Sequence, residues 1–327
     1  MPFQVRLLPS GHVFEVAGHD TLLEAALRAG VAINYGCSSG NCGLCRARLV
    51  SGQVERTRHQ DYVFPESEKS QGWLLMCAHR AVSDVVLEAG VATRADEIQF
   101  QEIVARVKAI TPLTDKVRLL HLQTPRSQRL RFLAGQSVAL TVGDDAGVYA
   151  IASCPCDDRN LQFHVRAVPG DRFAARVFGD MRVGDNVTVY GPVGDFVLRQ
   201  DARRPLLFIA CNSGFAPIKS LLEHAASLEW EAPLFLYWLA TVPGGHYLSN
   251  WCRAWEDALD SFHYRELTAD NLQEPNPDQV LDVILAEHPD LAPFQAYVAG
   301  PQGFASRACA RLMEHGLPPA QLAAAVV

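Results

Sequence analysis

Four cysteines carry the clearest chemistry in this sequence. Three of them, Cys37, Cys42 and Cys45, share a loop that begins at Gly36, and Cys77 follows much later. Four residues separate the first cysteine from the second, and two separate the second from the third. This C-x4-C-x2-C spacing with one remote cysteine is typical of a [2Fe-2S] cluster, which needs four thiolate ligands. We therefore expect all four cysteines to be metal ligands.

Glycines in the same loop give the backbone the freedom that a cluster site requires. Gly36, Gly40 and Gly43 can adopt conformations closed to other residues and allow close approach to the bridging sulfides. Backbone amides in such a loop can point at the anionic cluster and help to set its potential. A structural zinc site is the alternative, but zinc ligands usually form two short pairs separated by a longer insert. The spacing here favours iron and sulfide over zinc.

The composition of the 327-residue chain indicates ordinary hydrophobic cores and room for two or three domains. No apolar run approaches the length of a membrane span, and the amino terminus lacks the pattern of an export signal. We therefore expect a cytoplasmic protein with no membrane span. The net charge of -7 argues against nucleic-acid binding, which needs a basic face.

Five further cysteines lie outside the cluster pattern. A long chain without an export signal is expected in a reducing compartment, where disulfides are rare. We expect these thiols to be free and to pack mostly as small apolar side chains. They are Cys154, Cys156, Cys211, Cys252 and Cys309.

The residues around the cysteine loop predict a small α+β unit. The predicted elements are strands at Phe3–Leu8 and His12–Val16, a helix from Asp20 or Thr21 to Ala29, and strands at Arg46–Val50, Trp73–Cys77 and Val82–Leu87. This succession resembles the β-grasp fold of plant-type ferredoxins over residues 1–92. Residues 93–99 are then expected to be a linker.

Short strands follow between residues 100 and 200, and many short strands separated by turns predict an antiparallel β-barrel. They are predicted at Glu102–Ile110, Lys116–Gln123, Ser137–Val142, Val148–Ser153, Leu161–Ala167 and Asn186–Tyr190. Several phrases here resemble the flavin domain of the ferredoxin-NADP reductase superfamily. The phrases are Phe132-Leu133-Ala134-Gly135-Gln136, Tyr149-Ala150-Ile151-Ala152-Ser153, Val168-Pro169-Gly170, Val183-Gly184-Asp185 and Gly191-Pro192-Val193-Gly194-Asp195-Phe196.

That resemblance implies FAD as a cofactor and implies that Tyr149 stacks on the flavin ring. It also implies a turn at the start of a short helix, whose amide groups hold the pyrophosphate. The candidate flavin-binding residues are Tyr149, Ala150, Ile151, Ala152, Val165, Gly170 and Ala175.

Strands alternate with helices from residue 201 to 327, which predicts a Rossmann-like parallel sheet with its ligand at the carboxyl ends of the strands. The predicted elements are strands at Pro205–Ala210, Pro233–Leu239, Phe262–Leu267 and Ala296–Ala299, and helices at Ile218–Ser227, Trp251–Leu259, Pro277–Glu287 and Phe304–His315. The region resembles the pyridine-nucleotide domain of the same superfamily, which implies NADH or NADPH. The candidate nucleotide-binding residues are Ser213, Gly214, Pro217 and Gly300.

The sequence departs from the superfamily pattern at its cofactor positions. The flavin strand usually reads Arg-x-Tyr-Ser, and here Gly147 and Ala150 replace the arginine and the serine. Ala175 replaces the serine of the second phosphate element. The nucleotide turn usually reads Gly-Gly-Thr-Gly, but this chain has residues 211–214 as Cys-Asn-Ser-Gly, and Ala299 stands where a cysteine is usual. The family's carboxyl-terminal aromatic is also missing.

Losing the arginine removes a charge-assisted contact to the flavin phosphates, on the order of 1.5–3 kcal/mol before other groups compensate. Arg166, Arg172 and Arg176 are the candidates that could restore the positive charge. Each could equally be a solvated surface arginine.

A ferredoxin joined to such a reductase resembles the reductase components of bacterial ring-hydroxylating dioxygenases and monooxygenases, and the glucoseen reductases of deoxysugar synthesis. The resemblance implies that NAD(P)H supplies two electrons, that FAD divides the pair, and that the cluster passes single electrons to an external acceptor protein. The sequence assigns no catalytic acid or base. The alternative is an electron carrier or subunit whose reductase half has lost flavin or nucleotide and serves for docking.

Overall fold

Three main sheets, each in its own stretch of chain, build the molecule. The computed structural model describes residues 2–92, 94–125, 128–157, 159–200, 203–268 and 278–327. The sheets lie within the segments 1–92, 100–200 and 201–327 expected from the sequence, and the boundaries of those segments stay predictions. In the part of the chain that is described, no helix combines the length and apolarity needed to cross a membrane.

The first unit contains β1 (Phe3–Leu8), β2 (Val13–Val16), α1 (Leu22–Arg28), β3 (Arg46–Ser51), β4 (Val54–Arg56), α2 (Glu66–Ser70), β5 (Trp73–Leu75), β6 (His79–Ala81) and β7 (Val85–Glu88). Its five-stranded sheet has the order β2-β1-β7-β3-β5, and β4 pairs separately with β6. Strands β1 and β7 are parallel, whereas the other pairs are antiparallel. Helix α1 begins at a capping box between Thr21 and Glu24, as the residue types favour.

The sequence did not predict three short elements of this unit, α2, β4 and β6. They are three to five residues long and mostly exposed, so they carry no hydrophobic period from which to predict them. The last strand begins at Val85 instead of Val82, because the backbone amide of Val82 turns to bond Gln53 O at 3.1 Å.

The second unit contains β8 (Gln101–Thr114), β9 (Val117–Gln123), β10 (Ser137–Val142), β11 (Asp145–Ala150), β12 (Asn160–Arg166), α3 (Arg172–Phe178) and β13 (Asn186–Val193). The six strands are antiparallel in the order β11-β10-β13-β8-β9-β12. The sheet curls so that its two edges meet beyond β11, where Ala152 N donates to Gln162 O at 2.8 Å. Strand β11 starts earlier than predicted because a tight turn at Gly143 pairs Val142 with Asp145.

The third unit contains β14 (Leu206–Cys211), α4 (Phe215–Ser227), β15 (Leu234–Ala240), α5 (Ser249–Ala258), β16 (Phe262–Thr268), α6 (Asp278–Glu287), β17 (Gln295–Gly300), α7 (Gln302–Glu314) and β18 (Leu322–Val326). All five strands are parallel in the order β16-β15-β14-β17-β18. Every residue of β14 and β17 is buried, as expected of strands covered on both faces. The predicted helix Pro277–Glu287 begins at Asp278 in the structure, and Pro277 lies outside the described residues.

Strand β18 was not predicted, because its alanine-rich sequence lacks the branched side chains typical of strands. It extends the sheet by pairing with β17 from Ala296 to Gly300. With this addition, the predicted fold class of a β-grasp unit, an antiparallel barrel and a Rossmann-like sheet is confirmed.

Polar contacts join the three units at one seam. Arg131 of the barrel donates to Asn34 Oδ1 of the first unit at 2.9 Å. Ser220 on α4 donates to Ser153 O, just beyond β11, at 2.7 Å and accepts from Gly135 N at 3.3 Å. The seam therefore places the cysteine loop, the flavin strand and the nucleotide unit side by side.

Candidate functional site

The four predicted cysteine ligands lie together as two pairs. The amide of Cys37 is 3.4 Å from Cys42 Sγ, and the side chains of Cys45 and Cys77 form a hydrogen bond with each other. The pairing of β3 with β5 brings the second pair together, because Met76 N donates to Cys45 O at 2.9 Å. Cys42 is exposed, whereas the other three cysteines are buried.

Backbone amides gather around the sulfur of Cys37. The N–H groups of Ser39, Asn41 and Cys42 lie 3.5, 3.3 and 3.3 Å from Cys37 Sγ. Burial raises the pKa of the Cys37 thiol, but the Ser39 and Asn41 amides outweigh burial and lower that pKa to about 6. Such amides stabilise a thiolate, which is the form that binds metal.

The pKa values within each cysteine pair move in opposite directions. The pKa of Cys42 is raised by burial while that of Cys37 is lowered. The hydrogen bond between Cys45 and Cys77 raises the pKa of Cys45 and lowers that of Cys77. The two sulfurs of each pair are therefore close enough to influence one another, as ligands of a shared centre must be.

The loop is too crowded for side chains at two of its glycines. Gly40 and Gly43 have φ values of +86° and +75°. A Cβ on Gly43 would overlap the ring of Tyr62, and one on Gly40 would lie 2.7 Å from His59 O. Among the described residues, no three His, Cys, Asp or Glu side chains converge on a point that suits one metal ion. Two separate pairs suit a cluster of two irons better than a single zinc.

The flavin candidates on β11 and β12 lie along the seam with α4. Ile151 and Val165 are fully buried and pack in the barrel core. Ala150 and Ala152 pack against Ala216 of the nucleotide unit. The side chains of Ile151 and Val165 thus serve the barrel core, and only their backbone is left for contact with a cofactor.

Tyr149 lies over the position where the superfamily has its arginine. A Cβ on Gly147 would be 2.6 Å from the Tyr149 ring, so a larger residue there would displace that ring. The Tyr149 hydroxyl donates to Asp171 Oδ2 at 2.6 Å, and the ring packs against Phe173 at a centroid separation of 5.3 Å. Burial, followed by the bond to Asp171, raises the pKa of Tyr149. The exchange of arginine for Gly147 and the placement of Tyr149 are therefore coupled.

A carboxylate occupies the helix end where a pyrophosphate was expected. Asp171 caps α3 and accepts from Ala174 N at 2.8 Å. Ala175 is exposed, and its own amide bonds Asp171 O at 3.0 Å. Gly170 has a φ of +88° and open space around it, which suits the turn before the helix. The amide of Ala175 is therefore already used within α3.

The three candidate replacement arginines differ in their contacts. Arg172 and Arg176 pair with Asp145 at 2.6 and 3.5 Å. Arg166 is half-buried at the end of β12, and its charge opposes the burial that raises the pKa of Cys211 to about 12. Arg166 therefore points toward the carboxyl end of β14, between the barrel and the nucleotide sheet.

The nucleotide candidates converge at the carboxyl ends of β14 and β17. A Cβ on Gly214 would overlap Ala299 O, and one on Gly300 would lie 2.8 Å from the Cβ of Cys211. Ser213 sits in the same short turn, and Pro217 lies in the first turn of α4. The loop therefore passes close to the strand ends, as in a nucleotide site of this sheet type.

The sequence did not reveal the role of Asn212 in this turn. Its amide donates to Thr241 Oγ1 at 2.6 Å and its carbonyl oxygen accepts from Thr241 N at 3.0 Å. Asn212 thereby ties the end of β14 to the end of β15. Its φ of +50° is one that asparagine tolerates better than most residues. The residue type alone does not predict the contact with Thr241.

Two family models match the chain, and they fall on the two sites described above. A 2Fe-2S iron-sulfur cluster binding domain matches residues 5–82, and an oxidoreductase FAD-binding domain matches residues 104–198. The reductase component 1 of terephthalate 1,2-dioxygenase from Comamonas is 31% identical over 265 residues, which cover 81% of this chain and 78% of that protein. The chain belongs to the family of reductases that join a 2Fe-2S ferredoxin domain to an FAD-binding oxidoreductase domain.

Other relatives extend the match to the whole chain. The CDP-6-deoxy-L-threo-D-glycero-4-hexulose-3-dehydrase reductase of Yersinia pestis is 29% identical over 320 residues, covering 97% of this chain and 96% of that one. A solved Amycolatopsis cytochrome P450 reductase has the same fold, with a TM-score of 0.63, 24% identity and coverage of 99% and 98%. The ferredoxin reductase in carbazole 1,9a-dioxygenase gives a TM-score of 0.60 at 23% identity, covering 100% of this chain and 98% of that one.

Membership of this family makes the chain an electron-transfer oxidoreductase, and the predicted [2Fe-2S] cluster and FAD are confirmed as its cofactors. The described residues fit the cluster, with four sulfurs in two pairs and amides aimed at one of them. They fit the flavin ring through Tyr149 and the strand behind it. At the phosphate end, the Asp171 carboxylate makes the fit of this reductase poorer.

Helix α4 holds buried polar contacts of this reductase that the sequence did not reveal. Lys219, Ser220 and His224 are buried on its face toward the barrel. Lys219 donates to Ala152 O at 3.2 Å and pairs with Glu223. A buried lysine is rare unless paired, so polar residues at helical spacing within an apolar helix were the available signal.

Two of the five remaining cysteines of this reductase are not free. Cys154 and Cys156 form a disulfide across a short turn, with their Cα atoms 5.2 Å apart. The expectation of free thiols is therefore wrong for this pair, because the 3-10 turn at Pro155–Asp157 brings the two Cα atoms within disulfide range. Cys211, Cys252 and Cys309 are free, as expected.

Proposed function

We propose that this chain takes electrons from NADH or NADPH and delivers them singly to an external oxygenase component or a similar acceptor protein. The electrons pass through FAD beside Tyr149 to a cluster held by Cys37, Cys42, Cys45 and Cys77. The observation that carries the proposal is the arrangement of these four cysteines in two pairs with only Cys42 exposed. In this arrangement the buried cysteines hold the cluster against the protein, and Cys42 is on the side that a partner can reach.

A few hydrogen bonds connect the flavin strand to the cysteine loop. Ile151 N, beyond β11, donates to Gln136 O at 3.0 Å, in the turn that follows residues 131–133. Arg131, at the start of this stretch, bonds Asn34 Oδ1 at 2.9 Å and Ala32 O at 3.3 Å. These contacts fix the loop before Cys37 against the barrel, so one rigid support positions both centres.

Flavin supplies the chemistry that the cluster lacks, because it accepts two electrons together and releases them one at a time. The protein residues provide its surroundings. Tyr149 offers a ring for stacking, while the seam between the barrel and α4 is built from buried side chains that exclude water. Gly214 and Gly300 let the loop after β14 pack closely against the end of β17, where we place the nicotinamide nucleotide.

An open cleft beside Cys42 is where an acceptor would meet the cluster. It has a volume of about 520 Å³ and is lined by Cys42, Leu44, Arg46, Tyr62 and Trp73 among others. Leu44, between Cys42 and Cys45, is 49% exposed and gives the cleft an apolar surface. A partner that covers this cleft would exclude water from the shortest path out of the cluster.

The relatives support an enzyme as the partner of this chain. The Comamonas relative is the reductase component of a dioxygenase, and the Yersinia relative is named as a dehydrase reductase. Both names pair a reductase with a second enzyme. We therefore place the partner of this chain among such enzymes.

The cofactor set can be tested on the purified protein. We expect one FAD released per chain on denaturation, two irons and two labile sulfides per chain, and a dithionite-reduced paramagnetic signal typical of a [2Fe-2S] cluster. Cys77→Ser should abolish or strongly alter that signal, whereas Cys309→Ser, at a half-buried free thiol, should leave it unchanged. Zinc in place of iron would contradict the cluster assignment. A spectrum without flavin after reconstitution with FAD would favour the docking subunit.

A further inference from the structure

The Cys154–Pro155–Cys156 turn connects all three units. It follows directly on residues 149–153 of the flavin strand and forms the short 3-10 helix Pro155–Asp157. On one side it packs against α1 and lines a narrow cavity with Leu27 and Tyr35, the latter two residues before Cys37. On the other side it packs against α4. The turn, which is part of the barrel unit, thus contacts both the ferredoxin unit and the nucleotide unit.

One face of α4 holds both this turn and the end of α1. Cys154 N donates to Glu223 at 3.0 Å, and Cys154 Sγ lies 3.9 Å from Ser227 Oγ and 4.0 Å from His224 Nδ1. Gly30 packs on the same two side chains, since a Cβ there would be 2.8 Å from Ser227 Oγ and 2.9 Å from His224 Cε1. Movement of Cys154 would therefore disturb the surface on which the ferredoxin unit rests.

The two sulfurs have different surroundings. Cys154 is only 4% exposed, whereas Cys156 is half-buried. The Cys156 amide points at Cys154 Sγ at 3.1 Å. His224 Nδ1 lies 4.0 Å from the same sulfur. The Cys156 amide favours a thiolate on Cys154 and makes it the better leaving group when a small thiolate attacks Cys156.

Stabilisation of the folded chain does not explain this disulfide. It closes a loop of three residues, and a loop this short restrains the unfolded chain least. We propose that Cys154 and Cys156 are a reversible thiol–disulfide pair, and that its state sets how firmly residues 22–35 are held against α4 and the barrel.

The exchange balances with a small dithiol as the reductant. A thiolate of the dithiol attacks Cys156 Sγ, the S–S bond breaks, and Cys154 leaves as a thiolate. The second thiol of the dithiol then displaces Cys156, so the protein gains two electrons and two protons and the dithiol becomes a cyclic disulfide. A small-molecule disulfide reverses the change and is itself reduced to two thiols. The reduced turn is no longer closed on itself and can shift away from His224 and Ser227.

Thiol accessibility in the full chain tests the chemistry. After incubation with oxidised glutathione, we expect the peptide that contains Cys154 and Cys156 to resist alkylation and to be two hydrogens lighter. After dithiothreitol, both thiols should react under native conditions, while the buried Cys211 and Cys252 stay unreactive. Free thiols, or a glutathione adduct retained on Cys156, after the oxidising treatment would overturn the proposal.

Hydrogen exchange tests the structural consequence. Amides of residues 22–35 should exchange several-fold faster in the reduced protein than in the oxidised protein. Cys156→Ser should exchange at the faster rate under both treatments, and Cys309→Ser should respond like the wild type. Equal exchange in the oxidised and reduced wild type would refute the link to the ferredoxin unit. Neither readout uses electron transfer, so both can be interpreted whatever the fate of the proposed function.

Discussion

Two glycines determine how tightly the cysteine loop closes. Gly40 and Gly43 combine a positive φ with neighbours so close that no side chain fits. Their conformation matters because the amides of the loop must turn inward to reach the sulfur of Cys37. The backbone, more than any side chain, shapes the cluster site.

Gly43→Ala should therefore lower cluster occupancy. Adopting the left-handed conformation costs a non-glycine residue about 1–2 kcal/mol, and the added methyl group would also overlap the Tyr62 ring. Iron and labile sulfide per chain, measured after purification, should fall well below the wild-type value. Gly18→Ala is the matched control, because Gly18 has a φ of +62° with nothing within 4 Å. Equal loss in both variants would mean that backbone strain, not the overlap with Tyr62, is responsible.

Asp171 places a negative charge where the phosphates of FAD are proposed to bind. Removing one carboxylate near a phosphate should recover about 1 kcal/mol at a solvated site, which is roughly a fivefold gain in affinity. Glycine at a helix N-cap costs only a few tenths of a kcal/mol relative to aspartate, so Asp171→Gly should remain folded. Quenching of flavin fluorescence on titration gives the dissociation constant. Asp260→Gly, at an exposed turn before β16, should leave it unchanged. Weaker binding by Asp171→Gly would show that the hydrogen bond from Tyr149 to Asp171 matters more for FAD than the charge does.

The cluster cysteines could be predicted from the sequence because the motif is local. Cys37, Cys42 and Cys45 lie in one loop, and their spacing alone implies a shared centre. The contact between Tyr149 and Asp171 could not be predicted, since it joins residues 22 positions apart through one rotamer. The same applies to the role of Asn212, which depends on how β14 and β15 end.

Helix α4 is the element that holds the seam together. Its buried polar residues bond the flavin strand through Ser220 and the Cys154 turn through Glu223. Burial lowers the pKa of His224 on this helix from 6.5 to about 4. The folded protein therefore favours the neutral imidazole of His224.

This burial predicts a loss of stability in mild acid. His224 is neutral in both states above pH 6.5, but between pH 6.5 and about 4 only the unfolded chain binds the proton. At pH 5 the site should destabilise the folded protein by about 2 kcal/mol relative to pH 7. Urea unfolding at the two pH values should show a smaller difference for His224→Gln than for the wild type. His59→Gln, which replaces an exposed histidine, should keep the wild-type difference in unfolding free energy between the two pH values. If burial of His224 were unimportant, His224→Gln would keep that difference as well.

Elements with a strong hydrophobic period were predicted, and short exposed ones were not. The buried strands β14 and β15 and helix α4 between them follow from apolar runs of the expected length. Strands β4 and β6 pair only with each other, so their formation depends on the unit around them. Strand β18 depends on the free edge of β17, which no local sequence pattern reveals.

In the whole molecule, the four predicted ligands lie at one edge of the first sheet. Cys45 precedes β3 and Cys77 follows β5, whereas β2 forms the opposite edge. Leu44 beside Cys42 and Val13 on β2 are both 49% exposed. They provide a matched pair for locating the exit of electrons.

Leu44→Lys should slow electron delivery to cytochrome c, a basic protein acceptor. The added charge repels the acceptor at the cluster face, so the second-order rate constant should fall several-fold at low salt and recover at high salt. Val13→Lys should change the rate little, because its charge lies at the far edge of the sheet. Stopped-flow absorbance of cytochrome c at two ionic strengths makes the comparison, and equal effects of the two variants would rule out the Cys42 face as the exit.

Anaerobic mixing with NADH or NADPH shows whether electrons pass through all three units. In frozen samples we predict that the nucleotide reduces the wild-type cluster and produces its paramagnetic signal. In Cys77→Ser the flavin absorbance should still bleach while that signal is absent, and Cys309→Ser should match the wild type. A flavin-loaded wild type whose cluster is reduced by dithionite but by neither nucleotide would contradict electron transfer from the nucleotide through the flavin to the cluster.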